Sequence, residues 1–429
     1  MPKVAQYTKG AVLFFSGDKD DRIFILQSGN VDLKSVDLVT EETRAEHLTA
    51  GAFFGVKSAL ARQPRMETAS AVTDVQVVII SVPEFEKTLA SKSTTVSAML
   101  YNFTQSLREY QMVLEKLLNN DIPLNSPREV GMFGIAQTLF DHERYYSAMN
   151  QCEKILRDVP TASNKDDVTA LLGQARVKAS AEAMEELSSS RSSGAADETE
   201  VRTLKQFSTP VFDKFKKKFN KGEILISEFT KTKSFYILQS GIVSVEKYVN
   251  GELKNYGSVH PGDFFGEMEV ISDSDRRASC IAETDITCLK FSKEYFDSIV
   301  TKSPVASMLL MRLICKRIYA QRENIKLLCI KEPAARIAAI LLMYVDMQGA
   351  KGADEDDMKR KVYITIDDVA QWSSLGSDET RDELNKFSSR NKLAIYDEYM
   401  LIANIMDMKR TVDSYYANKD DAKDSASKK

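Results

Sequence analysis

The chain has few of the residues that build metal, disulfide or catalytic sites. Its 429 residues include five cysteines and three histidines, and no two cysteines form a Cys-x-x-Cys pair. An odd, scattered set of cysteines argues against a disulfide framework and against a metal cluster. No motif places a nucleophile beside a general base. We therefore predict no metal site, no catalytic residue, no bound cofactor and no enzymatic activity.

Long apolar stretches are also missing. The chain has no run of about 18 apolar residues and no charged leader followed by an apolar core. These absences predict no membrane span and no signal peptide, and hence cytoplasmic residence. Hydrophobic residues still make up 43% of the chain, which is enough for buried cores. At the usual domain size, this length predicts about two to four domains.

The most informative segment reads FFGEMEVI at 264–271 and is followed by RRAS at 276–279. A glycine at the start of a helix leaves unpaired backbone N–H groups, which attract an anion. The guanidinium of Arg276 can bind phosphate oxygens through two charge-assisted hydrogen bonds. The carboxylate of Glu267 accepts hydrogen bonds, as from a sugar hydroxyl. The pattern predicts a pocket that binds a ribose phosphate without turning it over.

These residues resemble the phosphate-binding cassette of cyclic nucleotide-binding domains, in which F-G-E and small residues precede R-[T/A]-A-[S/T]. The resemblance implies that Glu267 holds the ribose 2′-hydroxyl and that Arg276 holds the cyclic phosphate, with Arg277 as the one-residue alternative. Glu269 departs from the pattern, which prefers a small residue there, and a second carboxylate repels phosphate unless it points away. The sequence leaves open whether the cassette binds ligand or survives only as a signature of the fold.

A related pattern occurs earlier in the chain. ILQSGNV at 25–31 recurs as ILQSGIV at 237–243, which predicts a duplicated β-roll ending each time in a long helix. In the first copy Val56 replaces the ribose-binding acid. Glu67 stands where an arginine is expected, and two extra residues separate the halves of the cassette. We predict that the first roll serves packing or dimerisation and does not bind the usual nucleotide.

The long helix after the second roll is predicted over 304–330, where apolar residues recur at three, four and seven. Such a seam predicts a parallel homodimer, and the alternative is a stripe that packs on its own roll. Gln321 and Arg322 stand where cyclic-AMP receptor proteins carry two hydroxyl residues that touch the base. The predicted ligand-binding residues are Gly266, Glu267, Met268, Glu269, Arg276, Arg277, Ala278, Ser279, Gln321 and Arg322.

The C-terminal part resembles the winged helix-turn-helix of Crp/Fnr transcription regulators. The matching strings are EPAARIAAILL at 332–342, ITIDDVA at 364–370 and SDETR at 377–381. Residues 331–412 carry 12 Lys plus Arg and 15 Asp plus Glu, a net charge of −3, and acids repel DNA phosphates. The sequence therefore leaves open DNA binding and protein binding. The DNA-binding candidates are Ser377, Asp378, Glu379, Thr380, Arg381 and Lys386.

Together these patterns predict an α+β chain with two jelly-roll-like β-rolls, a helical middle segment and a C-terminal winged helix-turn-helix. The middle carries one TPR-like helix pair, and it is expected to pack on a neighbouring domain because one repeat cannot bury a core alone. The resemblances imply a regulator that binds a cyclic nucleotide in its second roll. The dimer helix would transmit the binding event to a winged helix that binds double-stranded DNA. The alternative is an adaptor with silent pockets. The predicted boundaries are 1–120 for the first roll, 121–187 for the helical segment, 188–203 for a flexible linker, 204–330 for the second roll with its helix, 331–412 for the winged helix and 413–429 for a disordered tail.

Overall fold

The computed structural model describes residues 2–89, 92–118, 127–186, 210–249, 251–272, 275–295, 298, 304–348 and 358–427. The predicted linker at 188–203 and the acidic loop at 354–357 lie outside these residues. The chain forms two compact units. The first comprises 1–35, 45–109 and 120–318, and the second comprises 36–44, 110–119 and 319–429.

The first roll consists of eight strands in two four-stranded antiparallel sheets, ordered β1-β8-β3-β6 and β2-β7-β4-β5. Leu26, Phe24 and Phe54 are among the apolar side chains that fill the space between them. Helix α1 follows β6. The elements are β1 Lys3–Tyr7, β2 Val12–Phe14, β3 Ile23–Ser28, β4 Val31–Val36, β5 Thr43–Leu48, β6 Phe53–Phe54, α1 Val56–Ala61, β7 Thr68–Ala71, β8 Val75–Ile80 and α2 Val82–Leu89.

The second roll repeats this strand order, with sheets β9-β16-β11-β14 and β10-β15-β12-β13. A 3₁₀ turn at Pro210–Phe215 precedes it. Helix α7 takes the place that α1 has in the first roll. The elements are β9 Lys216–Phe219, β10 Ile224–Ile226, β11 Ser234–Ser240, β12 Val243–Val249, β13 Glu252–Val259, β14 Phe264–Phe265, α7 Glu267–Ser272, β15 Ser279–Ala282 and β16 Ile286–Ser292.

The repeated glycine of the QSG motif has a physical reason in both rolls. Gly29 and Gly241 have φ values of +84° and +87°, which side chains rarely adopt. A Cβ on Gly241 would lie 2.5 Å from the backbone oxygen of Asp285. Only glycine lets the strand turn so close to the next one.

Each roll is followed by a helix of 25 residues, α3 at Ser93–Leu117 and α8 at Pro304–Leu328. Four of the seven apolar residues of α8 that predict a homodimer are buried within the single chain, and Leu309, Leu313 and Leu328 are half-buried. Leu310, Ile314 and Ile318 are 3%, 0% and 0% exposed. Arg312 of α8 forms an ion pair with Glu86 of α2, so the first half of α8 lies against the first roll.

Three helices form the middle segment, α4 Arg128–Asp141, α5 Tyr145–Asp158 and α6 Lys165–Glu186. As predicted, they pack on a neighbouring domain, and this is the second roll. Ile135 and Leu139 share a buried cluster with Ile224 and Ile281 of that roll. Arg144 also pairs with Glu246 at 2.7 Å.

The C-terminal part is built from a helix, a strand, two helices, a hairpin and a last helix. Its three strands form one antiparallel sheet, β17-β19-β18, and its core includes Ile337, Leu384 and Ile402. The elements are α9 Pro333–Met347, β17 Arg360–Val362, α10 Ile366–Ser373, α11 Ser377–Ser389, β18 Leu393–Ile395, β19 Met400–Ile402 and α12 Ile405–Ser427.

The prediction of a disordered tail from residue 413 is wrong for residues 413–427, which continue helix α12. Two contacts within the second unit hold this helix. The Tyr415 hydroxyl donates to the carbonyl of Cys329 at 3.2 Å, and Lys419 pairs with Glu41 at 2.7 Å. The polar composition of the segment gave no sign of these partners.

Candidate functional site

The candidate site lies at the turn between β14 and α7 in the second roll. Gly266 has a φ of +74°, and a Cβ there would lie 2.5 Å from Ile226 Cδ1 and 3.2 Å from Arg276 Nη1. The turn therefore requires glycine on two grounds, backbone conformation and space. It brings the backbone of the cassette against the side chain of Arg276.

Arg276 is 2% exposed and is held from several sides. Its Nη1 donates to the Gly266 carbonyl at 2.6 Å, and its Nε donates to the Thr232 hydroxyl at 2.9 Å. Its Nη2 donates to the carbonyl of Ser234. These bonds fix the guanidinium before any ligand arrives. Thr232 and Ser234 are site residues that the sequence did not reveal.

Glu269 also binds Arg276. Its Oε2 accepts from Nη1 at 2.8 Å, and the two side chains are 16% and 1% exposed. The sequence left open whether this carboxylate points away from the arginine that the resemblance assigns to phosphate. It points towards that arginine and neutralises it.

Glu267 is 1% exposed and pairs through Oε1 with Arg317 of α8. Arg317 also donates to the carbonyl of Phe264, so it ties α8 to both ends of the turn. The second oxygen of Glu267, Oε2, is buried and has no hydrogen-bond partner. Burial raises the pKa of Glu267, and the nearby Arg317 opposes that rise. Arg317 is the third residue that the sequence did not reveal.

The first roll keeps the arginine, contrary to the prediction. Arg65 stands ten residues after Gly55, as Arg276 stands ten residues after Gly266. Arg65 Nη1 donates to the Gly55 carbonyl at 2.7 Å, and Nη2 donates to the carbonyl of Arg22 at 2.5 Å. The backbone N–H of Arg65 also bonds to Asp18, as that of Arg276 bonds to Thr230. Arg65 is therefore the structural counterpart of Arg276.

The predicted two-residue insertion in the first cassette is therefore also wrong. Thr68 begins β7 three residues after Arg65, as Ser279 begins β15 three residues after Arg276. The prediction aligned Thr68-Ala69-Ser70 with the last three letters of R-[T/A]-A-[S/T]. This alignment is shifted by two positions, so it placed Glu67, and not Arg65, at the position of the arginine. The loss of the ribose-binding acid at Val56 remains the difference between the two cassettes.

The surroundings of Arg65 differ from those of Arg276. Ser58, at the position of Glu269, accepts from Arg65 at 2.6 Å, and Asp20 pairs with Arg65 at 3.1 Å. The guanidinium also lies over the ring of Phe14, 4.5 Å from its centroid. Burial tends to raise the pKa of Asp20, but hydrogen bonds from Arg22 and Arg65 outweigh it and lower the pKa to about 2.

The remaining predicted ligand residues are spread more widely. Ser279 is fully buried, and its hydroxyl accepts from the Glu228 backbone N–H at 3.1 Å. Met268 is buried, whereas Arg277 and Ala278 are half-buried. Gln321 and Arg322 belong to the second unit, where Arg322 donates to the Tyr110 hydroxyl at 3.3 Å. Their contact with a base stays a prediction.

Helix α11 carries the DNA-binding candidates. Ser377, Asp378, Glu379, Arg381 and Lys386 are exposed, and Lys386 pairs with Glu383 at 2.6 Å. Thr380 differs, because it is 0% exposed and its hydroxyl has no partner. Thr380 is therefore a buried residue, and its side chain is not exposed for contact with DNA.

Within the described part of the chain, no group of three or more His, Cys, Asp or Glu residues is placed to hold a metal ion. No helix there is long and apolar enough to cross a membrane.

Comparison with known proteins identifies both rolls. Residues 4–92 and 216–303 match the family model of the cyclic nucleotide-binding domain. A cGMP-dependent 3',5'-cGMP phosphodiesterase A from Dictyostelium discoideum is 37% identical over 98 residues, 23% of this chain and 11% of that protein. A global nitrogen regulator from Synechococcus elongatus is 29% identical over 122 residues, 28% of this chain and 55% of that protein. The chain thus spans a tenth to about half of the length of these relatives.

A structure of a CRP/FNR-family transcriptional regulator from Thermus thermophilus is similar over 46% of this chain and 98% of its own. The identity is 16% and the TM-score is 0.32. The match to the cyclic nucleotide-binding domain covers residues 4–92 and 216–303. Domains of this kind are typical of regulatory proteins, although the Dictyostelium relative is a phosphodiesterase.

Proposed function

We propose that this chain, which contains two cyclic nucleotide-binding domains, is a regulator whose second roll binds a ligand of the cyclic nucleotide class. One observation carries the proposal. In the second roll Glu267 lies at the turn and the Arg276 side chain is bonded to the turn's glycine, whereas the first roll has Val56 in place of the acid. A carboxylate and a guanidinium on one turn are suited to a ribose hydroxyl and to an anion respectively.

Binding of the phosphate requires a rearrangement at Arg276. The phosphate replaces Glu269 as the partner of Nη1, while the Gly266 carbonyl keeps the guanidinium in place. At the other end, a ribose hydroxyl that donates to the unpartnered Oε2 of Glu267 reduces the negative charge on the carboxylate and so weakens the pair of Oε1 with Arg317. Because Arg317 lies on α8, this exchange transmits occupancy to the helix.

The C-terminal elements are proposed to be a winged helix-turn-helix that binds double-stranded DNA. Supporting this are the order of helices and strands from α9 to β19 and the capping box that starts α10, in which the Asp368 backbone N–H donates to Thr365 Oγ1 at 3.1 Å. Helix α11 presents Arg381 and Ser377 to solvent. Its four acids against two basic residues predict weak, salt-sensitive DNA binding.

The test of ligand binding is a calorimetric titration of the full chain with cyclic AMP and cyclic GMP. Glu267→Ala should weaken binding at least about tenfold, since a hydrogen bond to a charged group is lost. Glu269→Ala should strengthen it, because Arg276 is released. The matched control is Glu252→Ala, at an exposed position on β13. It should change neither the affinity for cyclic AMP nor that for cyclic GMP. If neither the wild type nor Glu269→Ala binds, and both are folded, the proposal is wrong.

A second candidate is an adaptor that binds proteins and no DNA. The acidic surface of α11 favours it. The affinity of the full chain for a DNA duplex, measured at increasing salt concentration, distinguishes the DNA-binding regulator from the adaptor. Two variants are compared with the wild type: Arg381→Ala removes a positive charge, and Asp378→Asn removes a negative one. A DNA regulator predicts that Arg381→Ala weakens binding and Asp378→Asn strengthens it. An adaptor predicts that any DNA binding vanishes at physiological salt and responds to neither change.

A further inference from the structure

The cassette of the second roll carries an acid where the ligand's phosphate would bind, and this points to the class of ligand. This inference rests on the proposal that the second roll is the ligand site. We propose that this site prefers an uncharged nucleoside, with ribose hydroxyls in place of the phosphate, to the cyclic nucleotide. Three features of the described residues support this.

The first feature is the saturation of Arg276. An arginine side chain has five N–H donors. Four hydrogen bonds already use them, to Thr232, Gly266, Glu269 and Ser234. One donor is left, whereas two-pronged recognition of a phosphate needs two. A phosphate must therefore displace a partner, and an uncharged ligand need not.

The second feature is the charge balance. Glu267 pairs with Arg317 and Glu269 pairs with Arg276, so two acids already offset two arginines. Because Glu267 and Arg276 are almost fully buried, an added phosphate would leave an uncompensated negative charge in a poorly solvated place. A nucleoside adds no charge.

The first roll provides an internal comparison. There the counterpart of Glu269 is the neutral Ser58, and the acid that meets Arg65 is Asp20, which lies outside the cassette helix. A cassette arginine can thus be neutralised without an acid at the position of Glu269. Balancing the arginine alone does not explain why Glu269 is there.

The third feature is an excess of acceptors. Ionised carboxylates only accept hydrogen bonds, and Glu267 Oε2 is buried without a partner. Such an oxygen calls for a donor from a ligand. A 3′,5′-cyclic nucleotide has one free ribose hydroxyl, whereas a nucleoside has three. Two carboxylates, at Glu267 and Glu269, are therefore better satisfied by a nucleoside.

The experiment compares each of the four ribonucleosides with its 3′,5′-cyclic monophosphate in calorimetric titrations of the full chain. The wild type should bind one nucleoside at least about tenfold tighter than the matching cyclic nucleotide, since like charges at a binding site are costly. Glu269→Ala should reverse this order. Glu269→Gln, which keeps the shape but not the charge, should tighten the cyclic nucleotide as well. Circular dichroism confirms that each variant is folded.

The outcomes separate this inference from the function on which it rests. If the wild type prefers the cyclic nucleotide and Glu269→Ala leaves the ratio unchanged, the nucleoside proposal is overturned while the second roll stays a ligand site. If no nucleoside or cyclic nucleotide binds the folded wild type or the folded Glu269→Ala, both proposals fail. A nucleoside preference that is lost in Glu269→Ala supports the nucleoside proposal and the placing of the ligand site in the second roll.

Discussion

Arg65 and Arg276 are both buried guanidinium groups that pair with an acid, but their acidic partners lie at different positions in the two rolls. Each guanidinium is buried, and each donates to the carbonyl of the cassette glycine. Asp20 neutralises the first from outside the cassette helix, whereas Glu269 neutralises the second from within it. Both arginines are therefore already paired with an acid, but only in the second roll does that acid belong to the cassette helix.

The glycine of the cassette offers a test of the turn. Gly266→Ala should destabilise the chain by more than the ~1–2 kcal/mol that a left-handed backbone costs an L-residue, because its Cβ would also meet Ile226. Gly51→Ala is the matched control. It has a φ of +93° and nothing within 4 Å of its Cβ, so only the backbone cost applies. Urea denaturation measures both, and equal losses would contradict the packing at the turn.

Glu267 predicts a dependence of stability on pH. Its pKa is raised by burial, so the native state binds a proton more tightly than the unfolded state does. Wild-type stability should therefore fall as pH rises from the usual glutamate range to the raised pKa. The free energy of unfolding of Glu267→Gln minus that of the wild type should grow across this window and then level off. Denaturation at a series of pH values measures it, and a constant difference would contradict the raised pKa.

At the scale of elements, the helical segment α4 to α6 is fitted to the second roll by small residues. A Cβ on Gly134 of α4 would lie 2.6 Å from Tyr248 Cζ on β12, and one on Gly131 would lie 2.6 Å from Phe229 Cε2. Glycine is a poor helix former. Its presence twice in α4 is explained by the close approach of the helix to the roll.

This close approach predicts opposite effects for two similar substitutions. Gly134→Ala should destabilise the chain although alanine favours helix, because the added methyl group would displace Tyr248. Gly173→Ala in α6 has open space around it and should stabilise the chain by up to ~1 kcal/mol. Thermal or urea denaturation gives both values. Stabilisation by both would mean that α4 does not pack closely on the roll.

Separation along the chain decided which site residues could be predicted from the sequence. Glu267, Gly266 and Arg276 lie within ten residues of each other, so a local motif revealed them. Arg317 is 50 residues from Glu267, and Thr232 is 44 from Arg276, so only the fold brings them together. A single sequence carries no pattern for such pairs.

Two other outcomes have local causes. The rolls and the C-terminal helices could be predicted because glycine turns, apolar periodicity and helix caps are local sequence patterns. The arginine of the first cassette was missed because the letters after it were matched instead of its distance from Gly55. Helix α12 was missed because the partners of Tyr415 and Lys419 are distant in sequence.

At the scale of the whole molecule, one chain holds two rolls, two helices of 25 residues and a single C-terminal domain. Part of the apolar seam of α8 that would form a homodimer is buried within the chain, including Ile314 and Ile318. The first half of α8 is also fixed to the first roll by Arg312 and Glu86. The buried part of this seam is therefore covered within the chain and is not available to a second copy.

This covering predicts a monomer in place of the homodimer expected from the sequence. Light scattering coupled to gel filtration should give the mass of one chain, 48.2 kDa, at micromolar concentration. With one C-terminal domain per particle, a DNA site would be a single half-site and not a palindrome. A mass of two chains that persists on dilution would restore the homodimer.

In this proposal the second roll alone binds the ligand. The number of sites per chain, measured by equilibrium titration of the full chain with the tightest-binding nucleoside or cyclic nucleotide, tests it. We expect one site, lost in Glu267→Ala and kept in Ser58→Ala of the first roll. Two sites per chain, or one site that survives Glu267→Ala but not Ser58→Ala, would contradict it.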